Sequence, residues 1–86
     1  MMAIFTIGAD DMRIGQMMEI AQAWGFVGKY SDSKRLLDDV IKKKIAYVLV
    51  VDPEAIDDNV KSQLATMNVK IINFNDKKRL EGLIRV

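Results

Sequence analysis

Three aspartates follow apolar runs, at positions where the ligand-binding residues of a parallel α/β sheet usually lie. Asp10 and Asp11 follow an apolar run that ends at Gly8, and Asp52 follows the most apolar run in the chain. In an open parallel sheet, ligands bind beyond the carboxyl ends of the strands. Three carboxylates meeting at that edge could hold Mg²⁺, which prefers oxygen ligands. The spacing therefore suggests one alternative, a metal or phosphoryl-transfer site at Asp10, Asp11 and Asp52.

The same three aspartates have a simpler explanation as helix caps. Aspartate is a favoured residue at helix starts, where each cap contributes about 1 kcal/mol. The acidic trio also resembles the pocket of response-regulator receiver domains, in which the aspartate after the third strand accepts a phosphoryl group. Receivers have a fifth strand followed by a lysine, whereas this sequence predicts four strands, with Asn73 and Asn75 after the last. We favour capping and expect no catalytic residue, no metal and no cofactor.

The composition excludes several classes of catalysis. The 86 residues include neither cysteine nor histidine, which excludes thiolate nucleophiles, disulfides, zinc sites built from these ligands and Ser-His pairs. Thirteen basic and twelve acidic residues give a formal net charge of +1. A protein that binds DNA or RNA through bulk charge usually carries a clear basic excess. We therefore expect a non-enzymatic protein that acts by binding another protein.

Neither a nucleotide-binding motif nor a membrane-spanning run is predicted. Gly8 and Gly15 fit neither Gly-x-Gly-x-x-Gly nor a phosphate-binding loop that ends in Gly-Lys-Ser/Thr. The longest apolar run, Ile45 to Val51, is too short to cross a bilayer, and no basic signal-peptide region precedes the first run. We expect a cytoplasmic protein without direct membrane insertion, a location compatible with peripheral attachment to a membrane complex.

Strands and helices alternate along the sequence and must position these residues. Apolar and β-branched runs predict strands at 3–7, 26–30, 45–51 and 69–74, the second of them short, interrupted by Gly28 and therefore at an edge. Apolar residues spaced three and four apart predict a helix after each strand. These residues are Ile14, Met17, Met18, Ala21 and Trp24; Leu36, Leu37, Val40 and Ile41; Ile56, Val60, Leu64 and Met67; and Leu80, Leu83 and Ile84.

Polar residues at the predicted helix ends support this order. Ser31 or Ser33 would open the second helix, Asp52-Pro53 the third and Asp76 the fourth, while the lysine run 42–44 falls in the last turn of the second. Helices between successive strands force parallel pairing through right-handed crossovers. We predict one α/β domain over residues 1–86, ordered β-α-β-α-β-α-β-α. Its four-stranded parallel sheet would have the order 2-1-3-4 of a truncated flavodoxin-like fold.

The last predicted helix, about residues 76–86, is the candidate partner interface. Leu80, Leu83 and Ile84 form an apolar ridge among basic residues. Such a ridge can dock on its own sheet or on the helices of another protein, and the sequence leaves both open. Gly82 weakens the helix by about 1 kcal/mol relative to alanine, so a partner would stabilise it.

The succession of motifs resembles the F subunit of the archaeal and vacuolar-type rotary ATPases over about the whole length. The likeness rests on four segments, which are Ile7-Gly8-Ala9-Asp10-Asp11, Arg13-Ile14-Gly15, Ser31-Asp32-Ser33 and Asp52-Pro53-Glu54-Ala55-Ile56. The resemblance implies a non-catalytic component of the central rotor stalk, in a complex that works in ion transport. It also implies that the C-terminal helix binds the coiled coil of the stalk, with Leu80, Leu83 and Ile84 as the contact.

RNA binding is a further alternative. The stretch from Gly28 through the third strand to Asp76-Lys77-Lys78-Arg79-Leu80 is similar to ribosomal RNA-binding proteins of the L7Ae type. That likeness would imply binding to structured RNA. The first strand and the near-neutral net charge do not favour this alternative.

Overall fold

The computed structural model describes residues 1–74, in which strands and helices alternate as predicted. The strands are β1 (Met2–Phe5), β2 (Phe26–Tyr30), β3 (Tyr47–Val50) and β4 (Lys70–Asn73). The helices are α1 (Asp11–Ala23), α2 (Ser33–Lys42) and α3 (Asp58–Thr66), together with a short 3₁₀ helix at Pro53–Ala55. The predicted helix at 76–86 and its cap Asp76 lie outside the described residues.

The four strands form one parallel sheet in the order β2-β1-β3-β4. Met2 lies opposite Tyr47, which in turn lies opposite Lys70 in the next strand. The fold class, the parallel pairing and the strand order are therefore confirmed. The edge position of β2 is confirmed as well, and β4 is the last described strand at the other side.

Helices cover both faces of the sheet, and this explains why the central strands are almost entirely apolar. The connection from β1 leads outward to β2, and the connection from β2 returns past β1 to β3. Right-handed crossovers in opposite directions place α1 and α2 on opposite faces. Met17 and Ala21 of α1 are buried on one face, whereas Leu36 of α2 and Leu64 of α3 are buried on the other. All four residues of β1 are buried between the two layers.

A bulge in β2 sets which face its side chains reach. Met2 pairs with Phe26 but Ile4 pairs with Lys29, so β2 has one more residue than β1 over the same length. In a regular strand Phe26 and Tyr30 would share a face, because side chains alternate. With the extra residue, Phe26 packs on the α1 side and Tyr30 packs on the α2 side.

The prediction of one continuous third helix after Pro53 is wrong. A 3₁₀ helix at Pro53–Ala55 comes first, and Ile56 then has an extended backbone with φ −96° and ψ 124°. This break turns the Ile56 side chain into the core beside α2 and α3, where it is buried. The α-helix starts only at Asp58, after the cap Asp57. Burial of Ile56 therefore outweighs the continuity of the helix.

The prediction that Ile41 lies on the buried side of α2 is also wrong. Ile41 is 76% exposed, whereas Leu36 and Val40, four residues apart, form the buried stripe. Ile41 follows Val40 by one residue, which rotates its side chain about 100° away from that stripe. The helix ends at Lys42, and Lys44 adopts a left-handed φ of 53°. The prediction that the lysine run lies in the last turn of α2 is confirmed for Lys42 alone, because Lys43 is the C-cap and Lys44 follows the helix.

Candidate functional site

The loop after β1 and the end of β3 meet at the carboxyl edge of the sheet. Gly8 has a φ of 85°, and the backbone N–H of Ala9 donates to the carbonyl of Thr6 at 3.0 Å, which closes a tight turn. A Cβ atom on Gly8 would lie 3.3 Å from the Cβ of Asp52. The turn therefore depends on glycine for two reasons, its left-handed backbone and its close approach to Asp52.

The carboxylates of Asp10 and Asp52 bond to the helices that they begin. Oδ1 of Asp10 accepts from the backbone N–H of Arg13 at 2.8 Å, and Oδ1 of Asp52 accepts from that of Glu54 at 3.1 Å. The capping predictions for these two residues are confirmed. The capping prediction for Asp11 is wrong, because Asp11 is the first residue of α1, where its negative charge faces the positive end of the helix dipole.

The structure does not bring Asp10, Asp11 and Asp52 together as a metal site. All three are exposed to solvent. Within residues 1–74, no group of three acidic side chains is arranged to hold a metal ion. The carboxylates of Asp10 and Asp52 each turn toward their own chain and not toward a shared centre, so the arrangement supports helix initiation more directly than it supports phosphoryl transfer.

Two further helix caps are not predicted from the sequence. Asp32 caps α2 by accepting from the backbone N–H of Lys34 at 3.0 Å, in place of the predicted Ser31 or Ser33. Asp57 caps α3 by accepting from the backbone N–H of Asn59 at 3.4 Å. An aspartate pair directly before the apolar spacing of α3 is a signal for the second cap, but the predicted helix start at Pro53 conceals it.

An acidic cavity of about 420 Å³ lies between the 3₁₀ helix and α3. Its lining residues are Glu54, Ile56, Asp57, Asp58 and Lys61. Nζ of Lys61 lies 4.0 Å from Oδ1 of Asp58, whose side chain is 98% exposed. An ion pair this exposed contributes little energy, and water reaches the carboxylates freely. The cavity is therefore an open acidic surface.

A buried tyrosine and a helix carboxylate join β2 to α2. The hydroxyl of Tyr30 donates to Oδ2 of Asp39 at 2.6 Å, and Nζ of Lys43 lies 3.5 Å from the same oxygen. Burial, followed by the hydrogen bond to Asp39, raises the pKa of Tyr30 to about 12. The hydrogen bond from Tyr30 is the largest cause of the lowered pKa of Asp39, and Lys43 lowers it further. No local sequence pattern indicates this contact, because the two residues lie on different elements.

The predicted partner interface of Leu80, Leu83 and Ile84 lies outside the described residues and stays a prediction. Within residues 1–74, two large apolar side chains are exposed beside the loop that follows β1. Ile7 is 43% exposed and Met12 is 73% exposed. The carboxyl edge of the sheet thus has exposed apolar side chains near the aspartates that cap the helices.

Comparisons with protein-family models, curated proteins and solved structures found no match. The resemblance to the F subunit of the rotary ATPases therefore depends on the four sequence segments alone. Across residues 1–74, the helices are all too short or too polar to cross a membrane.

Proposed function

We propose that this protein is a non-catalytic binding subunit of a larger assembly, similar to the F subunit in the central stalk of rotary ATPases. The proposal depends on the hydrogen bonding and exposure of the side chains at the carboxyl edge of the sheet. The carboxylates of Asp10 and Asp52 bond to helix starts, and the neighbouring side chains Ile7 and Met12 are apolar and exposed. Carboxylates that are engaged in helix capping are less available for metal binding or phosphoryl transfer, which supports a binding role over polar chemistry at this edge.

In this proposal the contact with the stalk is made by the terminal ridge of Leu80, Leu83 and Ile84. Amphipathic helices bind other helices through apolar residues spaced three and four apart. The basic residues around the ridge supply a polar rim that orients the partner. The predicted partner is therefore a long coiled coil with acidic residues beside its apolar seam.

The proposal is tested by purifying the tagged full-length protein from its native cells and identifying co-purified proteins by mass spectrometry. Rotary-ATPase stalk subunits are the expected partners. The double variant Leu80→Asp, Leu83→Asp should lose at least tenfold of that capture, because two charges interrupt the apolar ridge. The matched control is Ile41→Asp, Gln63→Asp, which places the same charges at exposed positions of α2 and α3 and should retain capture.

Circular dichroism and melting temperature establish that both variants remain folded. Capture that persists in the ridge variant would show that the terminal residues are not the contact. A wild-type preparation without any rotary-ATPase subunit would refute the assignment to that complex.

The approach of Gly8 to Asp52 favours one alternative function, a receiver-like phosphoacceptor. Incubation with a small phosphodonor and Mg²⁺, followed by intact-mass measurement, separates the two functions. We expect no phosphoryl mass on this protein under conditions that label a known receiver domain. A phosphoryl adduct that disappears in Asp52→Asn would replace the binding-subunit proposal with the receiver-like function.

A further inference from the structure

A groove runs between the edge strand β2 and helix α2. Its volume is about 210 Å³. Its lining residues are Gly28, Lys29 and Tyr30 from β2 and Arg35, Asp39 and Lys43 from α2 and its cap. We call this feature the β2–α2 groove. It lies on the described part of the chain and shares no residue with the terminal ridge.

The β2–α2 groove has an excess of positive charge. Three of its lining residues are basic and one, Asp39, is acidic. The charge of Asp39 already has two partners, the Tyr30 hydroxyl at 2.6 Å and Nζ of Lys43 at 3.5 Å. Lys29 and Arg35 are exposed and form no ion pair with any residue of 1–74. Lys29 pairs with Ile4, which is buried on the α1 side, so the Lys29 side chain lies on the opposite face of the sheet from Arg35. Two cations therefore remain available to an acidic ligand at the edge of β2, one on each face of the sheet.

The backbone beside the groove is also available. In the described sheet β1 is the sole neighbour of β2, so the outer side of β2 presents backbone N–H and C=O groups to its surroundings. Gly28 leaves space above the Tyr30 ring, because a Cβ atom there would lie 3.6 Å from Cε2 of that ring. The glycine hydrogen thus opens the groove at the point where the strand bulges.

We propose that the β2–α2 groove binds an extended acidic segment of a partner protein, which adds beside β2 and directs its carboxylates to Lys29 and Arg35. Extended peptides commonly add to exposed sheet edges, with main-chain hydrogen bonds giving affinity and side-chain pockets giving specificity. This contact is a second binding surface and does not depend on the terminal ridge or on a rotary ATPase.

The open edge of β2 and the charge of the groove disfavour two other occupants. An α-helix pairs its own backbone groups and would leave the outer N–H and C=O groups of β2 unpaired, whereas an extended segment pairs them. Nucleic acid binding usually requires a broad basic surface, whereas this chain has a net charge of +1 and Asp39 lies within the groove. An extended chain with adjacent acidic residues fits the charge of the groove and the open edge of β2.

The test is a selection of random decapeptides, displayed on phage, against the immobilised full-length protein. We expect enriched peptides to carry Asp or Glu at adjacent positions, since consecutive side chains of a strand point to opposite faces, one toward Arg35 and the next toward Lys29. A synthetic copy of an enriched peptide is then titrated into ¹⁵N-labelled protein. The largest amide shifts should fall on Gly28, Lys29 and Arg35.

Substitutions locate the contact. Arg35→Glu should weaken binding of the synthetic peptide at least tenfold, and Lys34→Glu should weaken it less than threefold. Lys34 is the matched control because it is an exposed neighbour with the same charge that does not line the groove. Gly28→Val should also reduce binding at least tenfold by filling the space above Tyr30. Arg35 is on the surface, so its substitution tests the groove even if Gly28→Val unfolds.

Several results would overturn the proposal. They are the absence of enriched peptides, enrichment without acidic residues, amide shifts outside the groove, and equal loss of binding in Lys34→Glu and Arg35→Glu. Equal amide shifts with inorganic phosphate alone would show that the groove takes a simple anion, which contradicts strand addition.

Discussion

The hydrogen bond between Tyr30 and Asp39 provides a quantitative test of how β2 is held to α2. Tyr30→Phe removes the hydroxyl while keeping the ring, which is buried against the core. The lost bond is 2.6 Å long and has a charged acceptor. Hydrogen bonds to charged groups contribute about 1.5–3 kcal/mol, and we take the lower end because the Asp39 side chain is 22% exposed.

We therefore expect Tyr30→Phe to lower the free energy of unfolding by about 1.5 kcal/mol at pH 7. In a domain of this size that loss corresponds to a fall in melting temperature of roughly 6–12 °C. Calorimetry and urea unfolding measure both quantities. In a double-mutant cycle with Asp39→Asn, the two substitutions should cost less together than the sum of their separate costs, since the two groups are in direct contact.

The pH dependence tests the same contact independently. The pKa of Tyr30 is raised from 10.0 to about 12 in the folded protein, so the stabilisation is complete below pH 10 and is lost as the pH approaches 12. The advantage of wild type over Tyr30→Phe should therefore disappear across that interval. It should also decline below pH 3.8, because the lowered pKa of Asp39 stabilises the fold only while the carboxyl is ionised.

A melting temperature within about 2 °C of wild type, or a stability difference that does not vary between pH 10 and 12, would refute this account of Tyr30.

Two further pairs of substitutions test the core and the turn after β1. Leu64→Ala should destabilise the protein by about 2–5 kcal/mol in urea unfolding, since Leu64 is fully buried. Ile41→Ala, at a position that is 76% exposed, should change the free energy of unfolding by less than about 0.5 kcal/mol. Similar losses in the two variants would refute the assigned faces of α2 and α3. Gly8→Ala should lower the free energy of unfolding by about 1–2 kcal/mol, because φ is 85° and Asp52 is close. Gly15→Ala, inside α1 with open space around it, should raise that free energy by up to about 1 kcal/mol. Equal melting temperatures of the two variants would contradict this contrast.

The alternation of apolar runs is enough to predict the sheet. Val48, Leu49 and Val50 are buried on both faces of a central strand, and such a strand requires helices above and below it. Once helices separate the strands, handedness leaves few topologies, and the predicted order 2-1-3-4 is the observed one. Pattern and chirality therefore predict the parallel pairing, and the likeness to a flavodoxin-like sheet supplies the strand order.

The predictions from hydrophobic periodicity fail where the packing of a single side chain determines the local structure. Ile56 fits the helical spacing of Val60 and Leu64, yet it belongs to an extended segment that reaches the core before α3 begins. Likewise the contact between Tyr30 and Asp39 depends on the bulge in β2, which changes the face that Tyr30 reaches. Neither outcome follows from periodicity, because each depends on the space that tertiary packing leaves.

The aspartates at the carboxyl edge serve helix initiation, and the lengths of the helices explain why this use has priority. The helix α3 has nine residues and the 3₁₀ helix has three, both too short to be stable alone. Each helix start therefore needs an acceptor for its first N–H groups, and Asp10, Asp52 and Asp57 supply it. A cation that drew Asp10 and Asp52 together would compete with the backbone for those oxygens, so metal binding at this edge would weaken the helix starts that position it.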